Sequence, residues 1–272
     1  MNILEKIVSH KYKEVAERKE LFPIKLLEQS IYFEAKPVSM KKYLLREDKS
    51  GIIAEIKRKS PSKGIINPSV SIERISIGYM QAGASALSIL TDKTFFGGSN
   101  EDLMEARKYN YCPILRKDFI IDEYQIIEAK SIGADTILLI AACLDQKKLS
   151  GLAKFARKLN MEVLIEVHNQ EEVTDAVLKS ADILGVNNRN LENFKVNIEQ
   201  SIKMSNFLPD EIVRVSESGI KDPENIFILK QYGYKGFLIG ENFMKHHRPE
   251  KACADFITRL RHMQDNIKVV TE

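Results

Sequence analysis

A large excess of one charge, a paired-cysteine pattern, a long apolar run and a glycine-rich nucleotide fingerprint are all missing from this chain. Lysine and arginine number 41 against 38 aspartates and glutamates, a net +3. That is too little positive charge for a nucleic-acid binder, which concentrates far more on one face. The three cysteines, Cys112, Cys143 and Cys253, are widely spaced and form no CxxC pair. This predicts reduced thiols in a cytosolic protein, each a small buried apolar residue, without a disulfide framework or zinc site. No apolar run approaches the ~20 residues needed to span a bilayer. The N-terminus "MNILEKIVSHKYKEVAERKE" is broken by charges every few residues, so it lacks the apolar region of a signal peptide. No GxGxxG follows the first strand-like run; the nearest piece, "FFGGSN", follows the second. These absences predict a soluble, cytoplasmic protein with neither nucleic acid nor membrane as a partner.

What is present is a rhythm. Short runs rich in Ile, Leu and Val occur at 52–56, 86–90, 112–116, 135–140, 162–167, 182–186, 212–216 and 236–240. They recur at the interval of a strand–helix repeat, and near-continuous apolar strands argue for a parallel sheet covered by helices. Between them lie helical segments: "SNEDLMEARK" with a capping box from Ser99 to Asp102, "IDEYQIIEAKSIGAD" with polar and apolar faces, and "DPENIFILKQYGYKG" with Asp222 as N-cap and Pro223 at the first position. Gly83, Gly133 and Gly233 mark helix-to-strand returns. The expectation is an α/β fold, a (β/α)8 TIM barrel, with residues 1–272 as a single domain. Residues 1–50 form an N-terminal helical extension packed on the barrel, beginning with an amphipathic helix through Leu4, Ile7, Val8 and Val15.

In such a barrel function sits where strands end. Alternation puts Ile53, Glu55 and Lys57 on one face of the first strand, and Ile52, Ala54 and Ile56 on the other. A buried carboxylate beside a buried ammonium is costly unless paired, so it is either a structural plug or an acid–base pair. The third strand brings Lys117 to the same rim, the fifth Glu166, and the sixth Asn187 with Arg189 just beyond. Six such groups at four strand ends favour chemistry over a plug. Strands seven and eight end in Ser218-Gly219 and Gly240-Glu241, small residues that let backbone N–H groups approach a phosphate. Arg58, Lys59 and Lys63 follow the first strand as a basic loop that could draw in an anionic substrate. His168 is expected in a loop beyond Glu166, and His246-His247 lacks a third ligand, so no metal site is expected.

The stretches "IIAEIKRKSPSKG", "ILTDKTFFGGS", "PILRKDFIID", "VLIEVHN", "GVNNRNL", "SESGI" and "FLIGENFM", in this order, resemble the indole-3-glycerol-phosphate synthase family over essentially the whole chain. The resemblance implies a barrel with extra N-terminal helices, acting in tryptophan biosynthesis. It implies a phosphorylated small-molecule substrate, 1-(2-carboxyphenylamino)-1-deoxyribulose 5-phosphate, closed with loss of carbon dioxide and water and without a cofactor. Lys117 is then the general acid. Glu166 and Glu55 are candidates for the later proton transfers, with Lys57 as their partner; the division of roles among these three stays open. Asn187 and Arg189 orient the substrate, Ser60 lines the site, Phe96 meets its aromatic ring, and Phe119 is a further substrate-binding residue. Ser218, Gly219, Gly240 and Glu241 supply phosphate-binding backbone. A monomer or weak homodimer is expected. Phosphoribosylanthranilate isomerase, similar in fold, uses a cysteine and an aspartate, where this first strand offers Glu55 and Lys57. A catalytically idle barrel would have lost some of these groups.

Overall fold

The computed structural model describes residues 3–190 and 193–271; Met1, Asn2, Leu191, Glu192 and Glu272 lie outside the described residues. Three helices come first: α1 (Ile3–Leu21), α2 (Ile24–Leu27) and α3 (Met40–Leu44). The repeat then begins with β1 (Ile52–Ile56), α4 (Ile72–Ala82), β2 (Ala86–Leu90), α5 (Asn100–Tyr109), β3 (Ile114–Lys117), α6 (Glu123–Ser131), β4 (Thr136–Ile140) and α7 (Gln146–Lys158). It continues with β5 (Glu162–Val167), α8 (Asp175–Ser180), β6 (Ile183–Asn187), α9 (Glu199–Ser205), β7 (Val213–Glu217), α10 (Pro223–Gln231) and β8 (Tyr234–Ile239). A short α11 (Glu241–Met244) and a long α12 (Pro249–Thr271) follow. The eight strands close into one parallel barrel, each beside its sequence neighbour and β8 against β1. A two-residue antiparallel ribbon, Lys59–Ser60 with Gly64–Ile65, stands on the loop after β1.

Every strand runs nearly buried along its length because both faces are covered. Ile52, Ala54 and Ile56 pack outward against the helices, while Ile53 joins Leu115, Leu164, Val213, Val215 and Leu238 in the barrel interior. Fully burying each such side chain is worth about 1.5–3 kcal/mol. Helices start where the sequence offers a cap: the side chains of Ser71, Ser99, Asp122 and Asp145 each accept a backbone N–H of the first turn. Each cap contributes about 1 kcal/mol. At Ser99 the expected box is half made, because the Asp102 carboxylate turns instead to the Arg58 guanidinium.

The expected two-faced helix after β3 has its polar side chains, Gln125, Glu128, Lys130 and Ser131, buried rather than in solvent. Tyr124 through Ser131 are all buried, since the N-terminal extension lies on α6. The Tyr124 hydroxyl donates to the Arg18 and Phe22 carbonyls at 2.9 Å, and Arg18 pairs with Glu128. The extension grips both rims of the barrel. At the strand starts, the Val38 and Lys41 N–H groups bond Asp135 and Glu162, and Met40 and Leu44 enter the interior. At the strand ends, α1 buries Ile7, Lys11 and Val15, one turn apart on one face. A lysine in the middle of that stripe was not anticipated from the apolar pattern.

Candidate active site

Parallel register sets the floor of the mouth. Leu90 is level with Lys117, Ile140 with Glu166, Glu166 with Gly185, and Asn187 with Glu217. Side chains alternate along a strand, so each of these polar residues falls at the last inward position before its loop. The result is two bonded sets that line one cleft. Lys57 Nζ lies 2.6 Å from Glu55 Oε1, and Ser88 donates to Glu55 Oε2 at 3.4 Å. Lys117 Nζ lies 2.7 Å from Glu166 Oε2 and 3.2 Å from Glu217 Oε2. Asn187 Nδ2 donates to Glu166 Oε1 at 3.1 Å, and Asn187 Oδ1 accepts the Arg189 N–H at 3.0 Å.

Around this floor the cleft is lined by Ile3, Leu4 and Ile7 of α1, by Ser60, Phe96, Phe119 and Arg189, and by Phe194 and Leu238. The rings of Phe96 and Phe119 face each other at 5.9 Å and 34°. A second groove opens beside it, where Ser218, Gly219, Gly240 and Glu241 meet Lys221 and Lys245. Ser218 and Gly219 are both left-handed, with φ of 69° and 78°. That is uncommon for a serine and makes a tight turn at the end of β7. Gly240 has another reason to lack a side chain: a Cβ there would come within 2.3 Å of Glu55 Oε1. Gly185 stands in the same relation to Glu217 Oε1, at 2.2 Å. Both glycines make room for carboxylates.

Electrostatics separate the carboxylates. Burial raises the Glu217 carboxyl to about 8; Lys117 opposes this, but that ammonium also serves Glu166, whose charge repels Glu217. Burial alone would raise Glu166 too, yet Lys117 and His168 hold it well below the usual carboxylate range. For Lys117 burial favours the neutral amine, and the carboxylates of Glu166, Glu217 and Glu55 more than reverse it, so its pKa is raised. The floor therefore holds an anionic glutamate and a neutral one on a single ammonium, an arrangement suited to acid–base work.

The residues expected from sequence converge here: Glu55, Lys57, Lys117, Glu166, Asn187, Arg189, Ser60, Phe96 and Phe119 line the main cleft, and Ser218, Gly219, Gly240 and Glu241 the adjoining groove. Three details differ. His168 lies in the loop just past β5, but its ring takes part in the site: its Nε2 lies 3.2 Å from Glu166 Oε1 and its Nδ1 3.4 Å from Glu172 Oε2. Burial opposes its charge, but those two carboxylates raise its pKa to about 10. The basic loop is less free than its composition suggests, because Arg58 is bound by Asp102 and Lys59 Nζ donates to the Thr94 carbonyl at 2.8 Å. The Glu241 side chain accepts from Arg189 at 3.3 Å and lies 3.7 Å from Lys63. Glu217 was missed, although the inward alternation Val213, Val215, Glu217 carried the signal.

Fold and site together define a (β/α)8 barrel enzyme with a lysine–carboxylate centre beside a glycine-rich groove. The family model described as indole-3-glycerol phosphate synthase matches residues 4–256. A protein of that name from Bacteroides thetaiotaomicron is 47% identical over 260 residues, covering 96% of this chain and 99% of that one. Another from Acinetobacter baylyi is 42% identical, covering 93% and 94%. Among solved structures, thiamine phosphate pyrophosphorylase from Pyrococcus furiosus superposes with a TM-score of 0.59 at 17% identity, covering 82% of this chain and 98% of that one, which speaks to fold alone. The chain belongs to the indole-3-glycerol phosphate synthase family, a family of decarboxylating carbon–carbon lyases of tryptophan biosynthesis with a phosphorylated small-molecule substrate.

Proposed function

We propose that this chain closes 1-(2-carboxyphenylamino)-1-deoxyribulose 5-phosphate to indole-3-glycerol phosphate, and that the groups at the barrel mouth divide the work as follows. The substrate's aromatic ring lies against Phe96 and Phe119, and its phosphate lies in the groove of Ser218, Gly219, Gly240 and Glu241, with Lys221 and Lys245 alongside. The ring carbon bearing the carboxylate attacks the ketone carbon. The new carbon–carbon bond forms as the carbonyl π bond breaks, and Lys117 donates a proton to the developing alkoxide. The bond to the carboxylate then breaks, carbon dioxide departs, and its electron pair returns to the ring. Finally the hydroxyl leaves as water after protonation, and a base removes the remaining proton to give the indole. Glu166, held anionic, suits the base, and the Glu55–Lys57 pair suits delivery of the proton to the leaving hydroxyl. Asn187 orients Glu166 and, with Arg189, the substrate; Ser60 closes the wall.

The observation that carries this reading is the Lys117 ammonium held between Glu166 and Glu217, 2.7 and 3.2 Å away, under an aromatic-walled cleft. Positioned acids and bases of this kind contribute typically ~10²–10⁴-fold each. The test is direct because the chain contains no tryptophan. Purified protein is mixed with the substrate in buffer containing EDTA, and indole fluorescence is followed without tryptophan emission from the protein. Turnover is expected; none from folded protein overturns the proposal. The same reading makes it a cytoplasmic enzyme, supported by the odd number and wide spacing of its three cysteines. It also makes it a monomer or weak homodimer, and a tight dimer in sedimentation velocity contradicts that.

A further inference from the structure

Lys11 sits on α1 with none of its surface exposed, in an otherwise apolar stripe between Ile7 and Val15. Burying an ammonium costs several kcal/mol before its partners are counted, so an aliphatic side chain would serve helix packing better. Its partners come from two different strand ends. Lys11 Nζ lies 3.0 Å from Asp92 Oδ2, just after β2, and 2.9 Å from Asp118 Oδ1, just after β3. Glu14, on the same helix, is 2.9 Å away and part-exposed.

Both aspartates use an oxygen to hold the backbone of the aromatic residues of the cleft. Asp92 Oδ1 accepts the Phe95 N–H at 2.6 Å and the Phe96 N–H at 3.1 Å. Asp118 Oδ1 accepts the Phe119 N–H at 2.8 Å. Asp118 Oδ2 takes Thr91 at 2.6 Å and Arg116 at 3.1 Å, which fixes its other side. A single ammonium thus ties together the two carboxylates that place Phe96 and Phe119. We propose that Lys11 is a positioning residue that sets the separation of the Phe96 and Phe119 rings, and with it the fit of the substrate's aromatic end. This rests on the function proposed above.

The absence of tryptophan provides a test independent of activity. Phe96→Trp would be the sole tryptophan, and in that background Lys11→Met is expected to raise acrylamide quenching of the free protein severalfold. In the otherwise native chain, Lys11→Met should raise the KM of the carboxyphenylamino-deoxyribulose phosphate about tenfold, the loss expected when a well-placed aromatic contact is misaligned. The inhibition constant of inorganic phosphate, which probes the other end of the cleft, should change by less than about twofold. Glu14→Gln, which leaves both aspartates paired, should change neither constant by more than about twofold. A folded Lys11→Met protein with native KM and native quenching overturns the proposal; so does a parallel rise in KM and the phosphate constant, which marks general loosening. If Lys11→Met does not fold, Asp92→Asn takes its place. It keeps an acceptor for the Phe95 and Phe96 N–H groups but loses the charge facing Lys11, and native KM and quenching in that variant are equally fatal. Failure of wild-type turnover instead defeats the function itself, and the quenching result still judges the role of Lys11 in placing Phe96.

Discussion

Glu217→Gln removes a titration that the barrel mouth has made unusual. The carboxyl is buried, its Oε2 lies 3.2 Å from Lys117, and its Oε1 has no hydrogen-bond partner among the described residues. Burial, with Lys117 shared and Glu166 repelling, raises it to about 8. A group with that pKa is neutral in roughly nine of ten molecules at pH 7 and in roughly one of ten at pH 9. An ionised Glu217 adds a negative charge where a substrate carrying a carboxylate and a phosphate must settle. The kcat/KM of the free enzyme should therefore fall about tenfold between pH 7 and 9. The substrate does not supply that limb: its phosphate ionises near ~6 and its carboxylate lower. Glutamine is permanently neutral and nearly isosteric, so Glu217→Gln should abolish the limb. At pH 7 it should cost about tenfold, the lower end of the worth of a hydrogen bond to a charged group, because the amide oxygen can still accept from Lys117. Indole fluorescence at subsaturating substrate, stepped from pH 6 to 9.5, measures both profiles. A wild-type profile flat through pH 9, or a limb that survives in Glu217→Gln, refutes the reasoning. Stability follows the same sign. A carboxyl raised above its unfolded value contributes fully below about 4.5, and the contribution is lost as pH rises through about 8.

Three other outcomes are expected. Lys117→Ala should cut kcat by at least ~10²-fold in single-turnover measurements, and a near-native rate removes Lys117 as the general acid. Gly240→Ala should displace Glu55 from Lys57, because the added methyl meets Glu55 Oε1 at 2.3 Å. Turnover should drop about tenfold or more with the melting temperature nearly kept, whereas unchanged turnover means that Glu55 need not stay there. His168→Gln removes a cation beside Glu166, so the acid limb of kcat/KM, where Glu166 takes up its proton, should move to higher pH. An unmoved limb shows that His168 does not help to hold Glu166 ionised.

The repeat of eight apolar runs was legible because every barrel strand is buried on both faces, which leaves a local and repeated signature. Strand boundaries fell within one or two residues, and the inward positions of Glu55, Lys57, Lys117, Glu166 and Asn187 followed from simple alternation. Glu217 obeyed the same alternation and could have been found by applying it to the seventh run. For His168 alternation reaches only the loop edge on Glu166's side, and its contact with Glu166 depends on how the chain turns after β5 toward Glu172.

By itself, then, the sequence determined the fold class, the family and the rim at which chemical groups gather, because periodicity and strand-end position are properties of neighbouring residues. Only the tertiary structure decided which charges meet. It gave Arg58 to Asp102 rather than to a substrate, covered the polar face of α6, set on Lys117 two carboxyl groups whose pKa values move in opposite directions, and buried Lys11 between Asp92 and Asp118. The physical reason is distance. The partners in these pairs are separated by 44 to 107 residues along the chain, while their interaction acts over about 3 Å and depends on burial that folding alone creates.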